Sequence, residues 1–230
     1  MIELLELQKT YSEKTVLSIQ QLTISTGELV GLVGNNGAGK TTMLSLILDL
    51  IKPTKGMARS KQKDVSKTDS WKAYTGSYLG EGFLIPFLTP LEFLDYVGNL
   101  HGKNKADLSD FLSDVSGFFS GDMNAKKYIR DLSIGNKNKI GILAAIYASP
   151  EILILDEPFA NLDPGSQSWL KRKLTELNQR GVSVLMSSHD LKHVTDVCSR
   201  VLLLDNGKII KDIHVSNTAL MELEAYFSIQ

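Results

Sequence analysis

Cysteine occurs once in 230 residues, at position 198, so no internal disulfide framework can form. A solitary thiol suits a reducing compartment, where Cys198 reads as a small buried hydrophobe. Neither sign of charge is in excess. Lys and Arg number 25 against 26 Asp and Glu, and a net charge of −1 leaves no basic footprint for nucleic acid. Apolar runs long enough to cross a bilayer are missing too. "MLSLILDLI", 43–51, falls short of the roughly 18–20 residues required and contains Asp49. The opening "MIELLELQKTY" carries acids where a secretory leader carries basic residues, so no leader is expected. Repeats and low-complexity tracts are also lacking. What remains, 43% hydrophobic and 22% charged, is the composition of a globular chain able to bury a real core.

Apolar patterning predicts strands at about 2–8 and 16–25, then a buried strand in "ELVGLVG", 28–34. A glycine-rich turn follows, and "KTTMLSLILDLI" from Lys40 has helical periodicity until "KPTKG" stops it. The polar "SKQKDVSK", 60–67, reads as an exposed turn. From about 88 to 148 the pattern is helical: "PLEFLDYVGNLHG", "KADLSDFLSDVSGFF" and "GNKNKIGILAAIYA". Strands and helices then alternate through "EILILD", a helix after Pro164, "VSVLMSS", a short helix after Asp190, and "RVLLLD". Continuous apolar strands separated by helices predict an α/β fold with a mostly parallel sheet. The helical stretch reads as an insertion between two parts of that sheet. Asn206-Gly207 predicts a closing hairpin turn.

"GNNGAGKT", Gly34 to Thr41, fits the G-x-x-x-x-G-K-[ST] phosphate loop and lies between a predicted buried strand and a predicted helix. Gly34, Gly37 and Gly39 let backbone approach phosphate oxygens without a side-chain clash. The amides of this stretch, through Asn35, Asn36 and Ala38, collect at a helix N-terminus, where unpaired N–H groups favour an anion. Lys40 is expected to reach the β- and γ-phosphates, Thr41 to ligate Mg²⁺, and Thr42 to hold the α-phosphate. "ILILDEP", 152–158, ends four apolar residues in two acids. Asp156 is expected in the Mg²⁺ shell, and Glu157 is placed to orient and deprotonate a water.

The order of the remaining motifs resembles the ATP-binding-cassette ATPases over nearly the whole chain. The resemblance implies a phosphate-loop NTPase core with a mostly parallel sheet, an N-terminal antiparallel β arm and an inserted α-helical subdomain. It implies one domain over 1–230, with the core and arm at 1–87 and 149–230 and the helical insertion at 88–148. Tyr11 occupies the place of an adenine-stacking ring, and "FANLDP" that of the D-loop, with Asn161, Leu162 and Asp163. His189 in "VLMSSHD" matches the switch histidine that contacts the γ-phosphate. His101, His193 and His214 lack such context and are assigned nothing. "LSIGN", 132–136, stands where the family's signature loop opens a helix. Ser133 and Gly135 are then expected to close on the triphosphate bound by a second cassette, since a helix start with a small hydroxyl and open backbone suits an anion. A plain capped helix is the alternative.

Two departures stand out. Ile134 replaces the usual glycine and Asn136 the usual glutamine; a β-branched residue disfavours φ > 0, so an ordinary helical or extended backbone is expected at 134. In "SYLGEGFLIPFLTP" no glutamine follows the strand. Glu81 is the nearest substitute, as a ligand of Mg²⁺ or its water, with Gly80 competing for the same place. The apolar "GFLIPFLTPLEFL" suggests that Phe83, Leu84 and Phe87 line a groove for a short helix of a membrane partner, or else pack the insertion onto the core.

The resemblance thus implies an ATP- and Mg²⁺-dependent ATPase working as a homodimer or a heterodimer of cassettes. It would be bound at the cytoplasmic face of the membrane to a separately encoded transmembrane permease subunit. The loose signature, the missing glutamine and the short C-terminus lean towards export, and no nucleic acid partner is expected. The alternatives are a soluble cassette ATPase for protein assembly, repair or translation, or a small-molecule kinase, which would not explain Ser133, Asp163 and His189 in family order.

Overall fold

One short helix lies between two β-sheets, and this sandwich fixes where the chain can hold an anion. The structure is a computed structural model describing residues 1–118 and 127–216, together with Met221 and Leu223. The first sheet is antiparallel, ordered β2-β1-β4-β5, from β1 (Ile2–Tyr11), β2 (Lys14–Ile24), β4 (Lys55–Ser60) and β5 (Lys63–Asp64). The second runs β10-β9-β3-β8-β7-β6, with β3 (Leu29–Val33), β6 (Thr75–Tyr78), β7 (Ile152–Leu155), β8 (Ser183–Ser188), β9 (Arg200–Asp205) and β10 (Lys208–His214). All its pairings are parallel except the edge hairpin β9–β10.

Alternation along the central strands serves two cores. Val30 and Leu32 of β3, with Ile152 and Ile154 of β7, face helix α1 (Lys40–Ile47), whose Met43, Leu44, Leu46 and Ile47 also meet Leu4, Leu7, Leu17 and Ile19 of the arm. Leu29 and Val33 face the opposite way, with Leu153 and Leu155, onto α4 (Ile134–Tyr147), α5 (Pro164–Gln179) and α6 (Leu191–Thr195). Between β6 and β7 lie α2 (Pro90–Leu100), α3 (Lys105–Asp114) and α4. Reciprocal capping boxes start α2 at Thr89/Glu92 and α3 at Asn104/Asp107, satisfying N–H groups that a helix start would leave unpaired. Phe119, the last residue of the second predicted helix in the insertion, lies outside the described residues. Among the described residues no helix is long and apolar enough to cross a membrane.

Residues 60–67 are the expected exposed turn over most of their length, with Lys61, Gln62, Lys63, Ser66 and Lys67 exposed, but not throughout. Ser60 and Val65 are buried, β5 pairs back on β4, and Trp71 Nε1 donates to Val65 O at 3.1 Å. The "KGMARS" strand has little apolar alternation to reveal it; β1 supplies its partner from far upstream, pairing Ile2 with Ser60 and Gln8 with Lys55. The expected Asn206-Gly207 turn is present, with φ of 45° and 75° at its two residues, as a two-residue turn of this hand needs.

At Gly141 the β6–α4 contact has no room for a side chain. A Cβ on Gly141 would fall 2.0 Å from the Tyr78 ring, whose hydroxyl donates to Asn138 Oδ1 at 2.8 Å. Gly141→Ala should therefore displace the ring and lower stability by about 1–3 kcal/mol, as overpacking does. Thermal melting checks this, and an unshifted midpoint would show that the ring has room to move.

Candidate functional site

The loop from Gly34 to Gly39 leaves β3 and feeds α1 at the carboxyl edge of the parallel sheet, the edge where open α/β sheets bind ligands. Gly37 and Gly39 have φ of 83° and 109°, values that glycine tolerates without strain. A Cβ on Gly34 would lie 2.3 Å from Leu204 O, so the strand β9 presses directly on the loop's first residue. The hairpin turn braces its far side, with Gly207 N donating to Ala38 O at 2.9 Å. Asn36, Gly37, Gly39, Lys40, Thr41 and Thr42 line an open cavity of about 260 Å³ together with Val16, Asp156 and Glu157.

The polar groups of that cavity are tied into one chain. Lys40 Nζ, buried, donates to Gly34 O at 2.7 Å and lies 3.6 Å from Glu157 Oε1. Thr41 Oγ1 donates to Asp156 Oδ2 at 2.6 Å. The other Asp156 oxygen takes a hydrogen bond from Ser187 Oγ, which in turn accepts the Glu157 N–H at 2.9 Å. His189 meets Glu157 Oε2 with its N–H at 3.2 Å and its Nδ1 at 2.8 Å. Glu157 itself has φ of 47°, a left-handed conformation that a non-glycine residue adopts at a cost of about 1–2 kcal/mol. Its contacts with Ser187, His189 and Lys40 hold it there. Sequence reading had passed over Ser187, because a serine inside "VSVLMSS" looks neutral in an otherwise apolar strand; its complete burial was the signal that it needs a partner.

The other predicted residues stand apart from the cavity. Tyr11 ends β1, half exposed, with Lys9 Nζ 4.8 Å from its ring centroid. Ser133 caps α4, accepting the Asn136 N–H at 3.3 Å, and both it and Ile134 are exposed. Ile134 is the first residue of that helix, so its backbone is ordinary. At Gly135 a Cβ would fall 2.5 Å from Asn161 O. Asp163 caps α5; hydrogen bonds from the Ser166 hydroxyl and N–H, with Lys139 at 3.2 Å, hold its carboxyl well below the usual carboxylate range. Glu81, expected at the metal, also stands apart. Its carboxylate does not line the cavity but pairs with Lys137 Nζ at 3.2 Å, because the short helical turn it begins sets it beside α4.

A glycine loop between strand and helix, with an acid pair ending a strand of the same parallel sheet, defines a phosphate-loop ATPase. The family is narrower, and the whole sequence identifies it. The chain belongs to the ABC transporter family, whose model matches residues 17–160. An uncharacterized ABC transporter ATP-binding protein, YhaQ of Bacillus subtilis (strain 168), is 35% identical over 87% of this chain, and the match spans only 66% of that protein. The lipopolysaccharide export system ATP-binding protein LptB of Haemophilus influenzae is 33% identical over 89% of this chain and 86% of its own. Further relatives, 29% and 30% identical, are named as import proteins. The dimeric structure of MJ0796, described as a bacterial ABC transporter cassette, superposes with a TM-score of 0.85 at 25% identity, covering 94% of this chain and 100% of that one.

Because Ser187 joins Asp156 to Glu157, Ser187→Ala leaves a buried N–H and a carboxylate oxygen each short of a partner. The expected loss is about 1–3 kcal/mol of stability. Urea unfolding measures it; a midpoint equal to that of the unaltered protein would mean that water replaces the hydroxyl at no cost.

Proposed function

We propose that this chain is the ATP-hydrolysing subunit of an exporter, acting as a dimer of cassettes on a separate transmembrane permease at the cytoplasmic face of the membrane. The observation that carries the reading is the division of the site. Lys40, Thr41, Asp156, Glu157 and His189 meet at one strand edge, whereas the exposed helix start at Ser133 and Gly135 lies outside that cavity. Two cassettes, either two copies of this chain or one copy with a close relative, then meet head to tail. Ser133 and Gly135 of each cover the triphosphate held by the other.

Within one cassette the loop amides and Lys40 bind the β- and γ-phosphates, each charged hydrogen bond contributing about 1.5–3 kcal/mol. Thr42 takes the α-phosphate and Tyr11 stacks on the adenine. Thr41 Oγ1 and Asp156 Oδ2, 2.6 Å apart, are hard oxygen donors that fit Mg²⁺ arriving on phosphate. Bound there, Mg²⁺ neutralises charge on the phosphate oxygens. Glu157 orients a water and takes its proton, with its carboxylate fixed by His189, and His189 reaches the γ-phosphate. Asp163 keeps the D-loop in register with α4 through Lys139. Closure of the pair on ATP, rather than hydrolysis alone, shifts the permease between its states.

Export rests on the loosened signature, with Ile134 and Asn136, and on the segment without glutamine after β6; the relatives include both export and import proteins. The permease engages the groove beside that segment. Phe83 and Leu84 line an apolar hollow of about 230 Å³ with Phe93, Val97 and Leu100, and Phe87 stands exposed beside them.

Two measurements test this. Glu157→Gln should bind Mg-ATP, run as a dimer on size exclusion and hydrolyse about 10²–10⁴-fold more slowly, the usual worth of a general base. A variant that stays monomeric counts against Glu157 in that role. Phe83→Asp should weaken co-purification with the permease about tenfold or more, the effect of losing one buried aromatic, while ATP affinity is unchanged. Undiminished recovery of the complex would sink the groove assignment.

A further inference from the structure

Three consecutive side chains near the start of α4 each hold a different neighbour. Asn138 accepts from the Tyr78 hydroxyl at 2.8 Å and donates to Ala160 O at 2.6 Å, and Lys139 reaches Asp163 at 3.2 Å. Both lie buried, so these two ties fix α4 to β6 and to the loop after β7. Lys137 differs. Its ammonium pairs with Glu81 across 3.2 Å, with the side chains 19% and 56% exposed, a contact that can break and re-form. Each end is attached to something that matters. The Lys137 N–H donates to Ser133 O at 2.9 Å, closing the first helical turn on the residue expected to meet the second cassette's triphosphate. Glu81 begins the turn Glu81–Phe83, closed by Leu84 N to Glu81 O at 3.0 Å, and Phe83 is 57% exposed at the groove.

We propose that Glu81 is a positioning residue rather than a metal ligand. By pairing with Lys137 it ties the Phe83 turn to the Ser133 turn. A shift of the groove segment, of the kind a docked permease imposes, is thereby passed to the half-site offered to the partner cassette. This rests on the head-to-tail pairing proposed above. It also assigns a use to a carboxylate in the segment that lacks the family's glutamine: an ammonium on α4 binds it by charge, and salt weakens the tie.

The test compares Glu81→Lys, Lys137→Glu and the doubly exchanged chain, with Glu81→Gln as a milder variant. Steady-state hydrolysis, Mg²⁺ titration and melting are measured for each, and ATP-dependent dimerisation in the Glu157→Gln background. Each single reversal should lower turnover and dimerisation about two- to fivefold, in keeping with a partly exposed pair. KM for ATP, Mg²⁺ half-saturation and melting temperature should stay put, and the double exchange should restore most of the loss. Glu81→Gln should fall between, and its deficit should shrink at high salt. Failure of the exchange to rescue overturns the tie, as does a tenfold shift of Mg²⁺ half-saturation in Glu81→Gln, which would return Glu81 to the metal. Hydrolysis by a strictly solitary unaltered chain overturns the paired reading and the tie with it.

Discussion

The commitment of the phosphate loop's carbonyls is the constraint on which the rest depends. Gly34 O accepts from Lys40 Nζ, Asn35 O from Ala38 N, Ala38 O from Gly207 N and Gly39 O from Met43 N. With those oxygens bonded into the protein, the loop presents the N-terminus of α1 to the cavity, and that end of a helix favours an anion. Nothing within the loop could enforce this alone. Leu204 and Gly207 belong to the β9–β10 hairpin, some 170 residues downstream, and Ser18 N in the arm ties that hairpin in turn to β2 at 2.7 Å from Gly207 O. The sandwich of two sheets around α1 is therefore the mould of the site as well as its support.

A second consequence concerns Glu157. Its left-handed backbone turns the carboxylate back over the loop, between Lys40 on one side and His189 on the other. Strain of this kind persists only where the surroundings over-determine it. Here β8 does so twice, through Ser187 near its end and His189 just past it, so two adjacent strands share one acid pair. Both acids share Ser187, but the Asp156 carboxylate takes Thr41 and the Ser187 hydroxyl while that of Glu157 meets Lys40 and His189, so the two carboxylates have different partners although they are neighbours in sequence.

Much of this was legible in the sequence, for identifiable reasons. The phosphate loop announces itself because glycine spacing, a buried strand and a helix must coincide, and the Asp156–Glu157 pair because acids rarely cap an apolar strand. Residue-level patterns failed where a partner is remote or a side chain has several neighbours within reach. The β4–β5 hairpin is stabilised by backbone pairing with β1 and carries few apolar residues to betray it. Ser187 was hidden because only the fold tells a buried hydroxyl from an idle one. Glu81 came from the family's pattern, as the acid nearest the missing glutamine, and no pattern foretells that its carboxylate pairs with Lys137, fifty-six residues on.

The signature-like turn shows how a departure from a family pattern can be neutral at one position and forbidden at the next. Position 134 begins α4 and is 56% exposed, so its side chain meets no obstacle and its helical backbone makes no demand for glycine. Position 135 is different: a Cβ there would sit 2.5 Å from Asn161 O, and Asn161 cannot retreat freely, since it has φ of 58° in a loop whose Ala160 O is held by Asn138. The glycine that closes α4 onto this loop is thus required by steric contact within one chain, independently of any phosphate. In the head-to-tail pairing proposed above, isoleucine at 134 would add apolar surface to the face offered to a second cassette, burial of which contributes about 1.5–3 kcal/mol when complete. A sequence that looks degraded at its signature therefore keeps a glycine that the packing of its own chain demands, and departs from the pattern where the side chain meets only solvent.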